Sequence, residues 1–361
     1  MASKIPNPTE ALSAYFNTPP CFCAPYGNGH INDTFLTVHQ SGKFILQKMN
    51  TSIFPDTEQL MKNILGVTGH IRAKAGDGKD AERATLEVIP TLGGAPYYNS
   101  KGGAWRMYRF TEGTVTLEAV RNSEDFRRCA EAFGRFQHQL SDYPAHTLGE
   151  VIPNFHNTPI RHANLMRAAE TDICGRAKDV LDEIGFAAKR KEFCETLEKA
   201  HRDGRLPLRV THNDTKLNNI LFDEKTFEPV CVIDLDTVMP GYSVNDFGDS
   251  IRFGANTASE DETDLSKVAL DLTLFEAYAQ GFIVGCGGSL TAHELELLPA
   301  GAIMMTLECG MRFLTDYLEG DTYFKIHRPR HNLDRARNQF KLVADMESKY
   351  NSMMAIIDRL K

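Results

Sequence analysis

The chain has 361 residues, room for two domains or lobes, and its 42% hydrophobic and 24% charged residues match a soluble globular protein. A formal net charge of -8 excludes broad, charge-driven nucleic-acid binding, which needs a basic face, but not a small anion held by backbone donors and Mg²⁺. Residues 1–18 carry no basic stretch leading into an apolar one, and no run approaches about 18 apolar residues, so neither a signal peptide nor a membrane span is expected.

The first third reads as strands. Runs 33–38 and 43–49, separated by Gln40-Ser41-Gly42, predict a hairpin. Apolar Leu60, Ile64 and Val67 predict a short helix within 55–70. After a polar stretch at 73–80, runs 85–90, 96–98 and 104–110 read as further strands, the last two joined by Asn99-Ser100-Lys101-Gly102-Gly103. Beyond Gly113 helices dominate. Residues 123–140 form one, and Met304, Leu307, Met311, Leu314 and Leu318 place an apolar stripe along another at 302–318. The last 25 residues or so, from Leu333 on, are a further helical pattern. The expectation is an α+β protein of two lobes, a small β-rich lobe at 1–112 and a larger helical lobe at 113–361, with a small ligand in the cleft between them. The eight cysteines are scattered without a Cys-x-x-Cys pair, which predicts reduced thiols in a cytoplasm.

The chemistry concentrates at 209–254. His212-Asn213-Asp214 is followed five residues on by Asn219, and Asp234 ends an apolar run twenty residues after Asp214. Phosphoryl transfer needs a carboxylate to take the acceptor's proton and hard oxygen ligands for Mg²⁺. The order Asp214 as base, then Asn219 and Asp234 as metal ligands, is that of a kinase catalytic core. Asp236 reads as a second-sphere carboxylate, a substrate contact or a surface group. Asp246-Phe247-Gly248 spells the kinase metal-binding tripeptide but falls 32 residues after Asp214, too late for that role, so Asp246 is expected to brace the catalytic loop.

For the nucleotide, Gly27-Asn28-Gly29 lets backbone N–H groups approach phosphate closely, with Asn32 beside it. Run 44–48 is the strand where a phosphate-binding lysine is expected. Gln47 and Lys48 alternate faces, and Lys48 has the right charge. Arg109-Phe110-Thr111 is expected to form the hinge whose backbone meets adenine.

His212-x-Asp214-x-x-x-x-Asn219 with Ile233-Asp234 resembles the aminoglycoside phosphotransferase/choline kinase superfamily. Longer runs, among them Pro25 to Asn32, Met49 to Thr57, Asp246 to Gly254 and Glu308-Cys309-Gly310-Met311-Arg312-Phe313, are similar to the N-acetylhexosamine 1-kinase family within it. The resemblance implies a protein-kinase-like fold, ATP as donor, Mg²⁺ as cofactor, and transfer to the anomeric hydroxyl of N-acetylglucosamine or N-acetylgalactosamine, giving the α-1-phosphate. It implies a sugar pocket from His30, Asp214, Asp236, Thr237, Phe253, Arg312, Tyr323 and Phe324. The sequence departs from the superfamily at Gln47, which takes the place of the usual strand lysine. Two alternatives stand: a kinase for choline, homoserine or an aminoglycoside, whose cation would want an acidic cluster such as Glu260-Asp261-Glu262-Thr263-Asp264, and a non-catalytic nucleotide sensor, against which Asp214, Asn219 and Asp234 argue. Neither nucleic acid nor membrane is an expected partner. The sequence does not choose between the gluco and galacto epimers, nor set an oligomeric state.

Overall fold

Alternating apolar residues and a Gly42 turn at φ 131° build a hairpin from β2 (Asp33–His39) and β3 (Gly42–Lys48), in register with Thr34 opposite Gln47. The protein is seen in a computed structural model that describes residues 6–27, 31–76, 78 and 83–361. It divides into two units.

The first unit comprises Met1–Val115, His146–Pro153 and Leu221–Met239. Its main sheet is antiparallel: β1 (Phe22–Pro25) pairs with β2, and β3 pairs with β6 (Gly103–Arg109), which also takes β4 (Val88–Ile89) and β5 (Tyr98–Ser100). One face carries Phe35, Phe44, Leu46, Trp105 and Met107, buried with Ala11, Leu12 and Tyr15 of α1 (Thr9–Tyr15). Each such large side chain contributes roughly 1.5–3 kcal/mol on burial. The other face presents Gln47 and Arg106. Helix α2 (Thr57–Ala75) starts at Asp56, whose side chain accepts from the Gln59 N–H, and buries Leu60, Ile64, Val67 and Ile71 at helical spacing.

Sequence reading divided the chain once, near residue 112, but the first unit also takes in two later segments. Val115 in β7 (Thr114–Val115) pairs with Phe222, and β9 (Ile220–Asp223) continues to β10 (Pro229–Val232). Asn63 of α2, fully buried, donates to the carbonyls of Gly149 and Val238 at 2.8 and 2.9 Å. Backbone groups of both later segments are satisfied by the first, which is why they belong to it.

The second unit comprises Thr116–Ala145, Asn154–Ile220 and Pro240–Lys361. Its main helices are α3 (Ser123–Gln139), α4 (Thr158–Thr171), α5 (Ser243–Gly254), α6 (Leu272–Gly285), α7 (Ala292–Leu318), α8 (His331–Ser348) and α9 (Tyr350–Leu360). Helix α7 begins in a Thr291/Glu294 capping box and buries the predicted stripe from Met304 to Leu318. It is long and apolar enough to cross a membrane by composition, yet 89% of its most apolar window is buried, the condition of a core helix. Helices α5 and α7 touch backbone to backbone: a Cβ on Gly248 would lie 2.4 Å from the Gly301 carbonyl oxygen. That contact holds α5, and the loop it braces, against the core.

Candidate active site

In the second unit, β8 (Arg209–Thr211) leads into the loop that bears Asp214. Arg209 pairs with Glu294, the same carboxylate that caps α7 and accepts from the Ser243 hydroxyl at 2.7 Å. The strand is thereby fastened to α5 and α7 before the loop begins. His212 is fully buried and meets Phe133 and Phe136 of α3 edge-on. Asn213 adopts φ 65°, a left-handed conformation that asparagine tolerates better than most residues.

Asp246 holds this turn, as expected of it. Its carboxylate accepts from the His212 and Asn213 N–H groups at 2.9 and 2.8 Å and from Gln137 at 2.7 Å. Burial pushes its pKa up despite these donors. One turn on, the Asp249 carboxylate accepts from the Thr215 N–H, and Ser250 donates to the Thr215 carbonyl while accepting from Tyr278. On this base stands Asp214, its side chain a quarter exposed. Lys216 Nζ lies 2.7 Å from Oδ1, and Asn219 Nδ2 donates to the Asp214 carbonyl at 2.8 Å and to Oδ2 at 3.2 Å. Burial would pull the Lys216 ammonium down; the Asp214 charge outweighs it and holds the ammonium above its ordinary value. The carboxylate is oriented, charge-compensated and accessible, the condition for accepting a proton from a bound hydroxyl.

Arg312 of α7 stands in the same unit, half-buried among the rings of Phe155, Phe324 and Tyr323 at 5.5, 5.4 and 5.9 Å. It has no hydrogen bond or ion pair among the described residues. Asp316, one turn on, positions two of those rings by accepting from the Thr322, Tyr323 and Phe324 N–H groups. Phe155 leads to His156, whose Nδ1 meets Glu308 at 2.8 Å and whose Nε2 lies 3.2 Å from the Asn213 carbonyl. Phe253 lies on α5, 42% exposed.

In the first unit, β10 runs into the turn carrying Asp234, itself left-handed at φ 60°. Asp236, read as a second-sphere carboxylate, a substrate contact or a surface group, is buried, which removes the last of these: Oδ1 lies 2.5 Å from Arg106 and Oδ2 accepts from Asn32 at 2.7 Å. It is a bracing carboxylate, because both oxygens are engaged inside the protein. Asn32, in turn, accepts from the Asn50 N–H. Thr237 is buried beside it. Lys48 is corrected as well. It shares the parity of Phe44 and Leu46 and lies over Gly103, where a Cβ would be 2.9 Å from its Cε. Gln47 faces the other way and meets Arg106. At the end of β6, the Arg109 and Phe110 N–H groups bond Glu87 and Lys43 carbonyls, and the Arg109 side chain pairs with Glu87. Gly27 turns at φ 75°, whereas Asn28, Gly29 and His30 lie outside the described residues.

In the second unit, Asn219 engages Asp214 through its nitrogen, which leaves its amide oxygen as a hard ligand of the kind Mg²⁺ takes. In the first unit, Asp234 offers a carboxylate of the same hard type. Among the described residues no group of three or more His, Cys, Asp or Glu gathers. Mg²⁺ takes one or two protein oxygens and completes its shell with phosphate and water. Bound there, Mg²⁺ would neutralise phosphate charge.

Comparison with known proteins agrees with this kinase-like arrangement. The chain is similar in fold to an aminoglycoside phosphotransferase from Alicyclobacillus acidocaldarius (14% identity over 99% of this chain and 98% of that one, TM-score 0.64). It is also similar to a microcompartment-associated aminopropanol kinase (15% identity, 96% and 97% covered, TM-score 0.60) and to an ethanolamine kinase from Plasmodium vivax (13% identity, 88% and 82% covered, TM-score 0.54). At these identities the likeness is one of fold. Residues 23–281, well over half of the chain, match the phosphotransferase enzyme family, and the protein therefore belongs to that family of ATP-dependent small-molecule kinases.

Proposed function

We propose that this enzyme phosphorylates the anomeric hydroxyl of a free N-acetylhexosamine with Mg²⁺-ATP, with Asp214 as base and Asn219 and Asp234 as metal ligands. The observation that carries the acceptor assignment is Arg312 within its aromatic wall, without an ion pair or hydrogen bond among the described residues. A guanidinium offers donors to hydroxyl and acetamide oxygens, and the rings suit the apolar face of a sugar. The same region repels a cationic acceptor. Arg161 lies near enough to Arg312 that burial first, and then that like charge, hold it below its ordinary value. Glu308, the carboxylate at hand, is already engaged by His156 and Thr158.

The acidic run that an amino alcohol or aminoglycoside would need is also occupied. Glu260 pairs with Arg252, Asp261 with Arg328 and His331, and Glu262 with Lys267. The kinases of similar fold bear names of amine acceptors, whereas the positive charge of Arg312 favours an uncharged acceptor here. Eight unpaired thiols suit a reducing cytoplasm.

The test is an ATP-consumption screen over free hexosamines, hexoses, choline, ethanolamine and an aminoglycoside, followed by phosphorus NMR of the product. The expected product is a hexosamine 1-phosphate from the N-acetylated sugars. Preference for an amine, or a product phosphorylated only at O6, refutes the assignment.

A further inference from the structure

Strand β3 lacks a cation on the face where the resemblance places one, since Gln47 occupies the position and Lys48 points away. The charge stands on the neighbouring strand. Arg106 of β6 is directly opposite Gln47 in the ladder, and its side chain is 1% exposed. Gln47 Oε1 accepts from Arg106 Nε and Nη2 at 3.0 and 2.8 Å, and Nη1 faces Asp236. An uncompensated guanidinium at this depth would cost several kcal/mol, and a well-packed apolar side chain often serves stability as well as a buried pair does. Its presence in the middle of an apolar strand calls for another account.

That account lies in what the pair holds. Asp236 is two residues from Asp234, which sits in a left-handed conformation that costs a non-glycine residue roughly 1–3 kcal/mol and persists only when its surroundings determine it. Two clamps act on the residues that follow: Arg106 and Asn32 on Asp236, and Asn63 on the Val238 carbonyl. The Asn32 clamp extends to the Asn50 N–H, so the segment after the Asp234 turn is tied to the start of β2 and to the end of β3. The Asp234 charge itself acts on Arg106, a further sign of proximity.

We infer that Arg106 is a positioning residue for metal-nucleotide binding: acting through Asp236, it fixes the turn that presents Asp234, a task the cation-free face of β3 leaves to β6. The inference rests on the assignment of Asp234 to the metal and is independent of the acceptor's identity, so its test uses no acceptor.

Three proteins decide it: wild type, Arg106→Gln, and the swap Gln47→Lys with Arg106→Gln, which returns a cation to the same face from the partner strand. Calorimetry would measure ADP binding across a Mg²⁺ titration, with thermal melts alongside. Arg106→Gln is expected to weaken Mg²⁺-dependent ADP binding about tenfold or more and to raise the Mg²⁺ concentration for half-saturation. The swap is expected to return both to within about threefold of wild type. A purely structural role would lower the melting temperature and leave the Mg²⁺ half-saturation of the folded protein unchanged; that result overturns the inference. Should Arg106→Gln fail to fold, the swap decides alone: near-wild-type binding supports the inference, and lost binding with a preserved melt overturns it.

Discussion

Replacing Asp246 with asparagine strikes the catalytic loop without touching the reacting groups. The carboxylate divides its work: one oxygen accepts from the His212 N–H and Gln137, the other from the Asn213 N–H. Asparagine of the same shape keeps one oxygen and turns the other atom into a donor. With its oxygen toward His212 and Gln137, its NH₂ faces the Asn213 N–H, donor against donor. One charge-assisted bond is lost, about 1.5–3 kcal/mol, and a buried donor is left without a partner, about 1–3 kcal/mol more. Part of this is offset, because burial already disfavours the charged carboxylate, as its raised pKa records. A net loss of about 2–4 kcal/mol follows.

The kinetic effect follows from the place of the unpaired group. Asn213 holds its left-handed turn immediately before Asp214, and a displacement of about 1 Å at a base costs on the order of 10²-fold in rate. Urea denaturation would give the stability change, and steady-state kinetics, with whichever acceptor the screen returns, would give kcat at a temperature where the variant is folded. Asp246→Asn is expected to lower kcat about 10²-fold with little change in KM for ATP. A variant that loses stability but keeps kcat would refute the view that Asp246 sets the base's position. One that loses neither would refute the hydrogen-bond argument itself.

Asp214→Asn removes the proton acceptor while keeping a partner for Asn219. It should fold and bind nucleotide as wild type does and lose about 10²–10⁴-fold in kcat, and turnover near normal would remove Asp214 as the base. Glu308→Gln tests the link between the Arg312 pocket and the loop. Burial would raise the Glu308 pKa, but His156, Arg312 and the Thr158 hydroxyl outweigh it and hold it below the ordinary carboxylate value. Its contribution to stability is therefore fully present above the unfolded value of 4.5 and is lost as pH falls through the lower folded value. The stability gap between wild type and Glu308→Gln, read as urea midpoints, should narrow as pH is lowered from about 6 to about 3. A gap independent of pH would contradict the pairing with His156.

What the sequence reveals here depends on how local each signal is. The β2–β3 hairpin follows from alternation and one turn, and the α7 stripe from a period of three and four, so both are legible over a dozen residues. Asp214, Asn219 and Asp234 are proposed from spacing, which is a local signal of the same kind. The face of Lys48 was not legible, since Phe44-Ile45-Leu46 is apolar at both parities and only packing against α1 shows which one is inward. Asp236 was left open among three readings for a related reason: its partners Arg106 and Asn32 lie more than a hundred residues away in sequence. The same distance hides the Glu260–Asp264 run, which reads as an open acidic cluster until Arg252, Arg328 and Lys267 are set against it. Yet Arg106 did leave a trace. Trp105-Arg106-Met107-Tyr108 places a charge in an apolar strand, as Met311-Arg312-Phe313 does in an apolar helix. In both cases the oddity marks a cation fixed where burial alone would not put it. The two differ in what meets the charge. Arg106 is satisfied by a carboxylate of its own unit, whereas Arg312 has rings about it and, among the described residues, neither an ion pair nor a hydrogen bond, which in the proposed reading leaves its donors for a ligand.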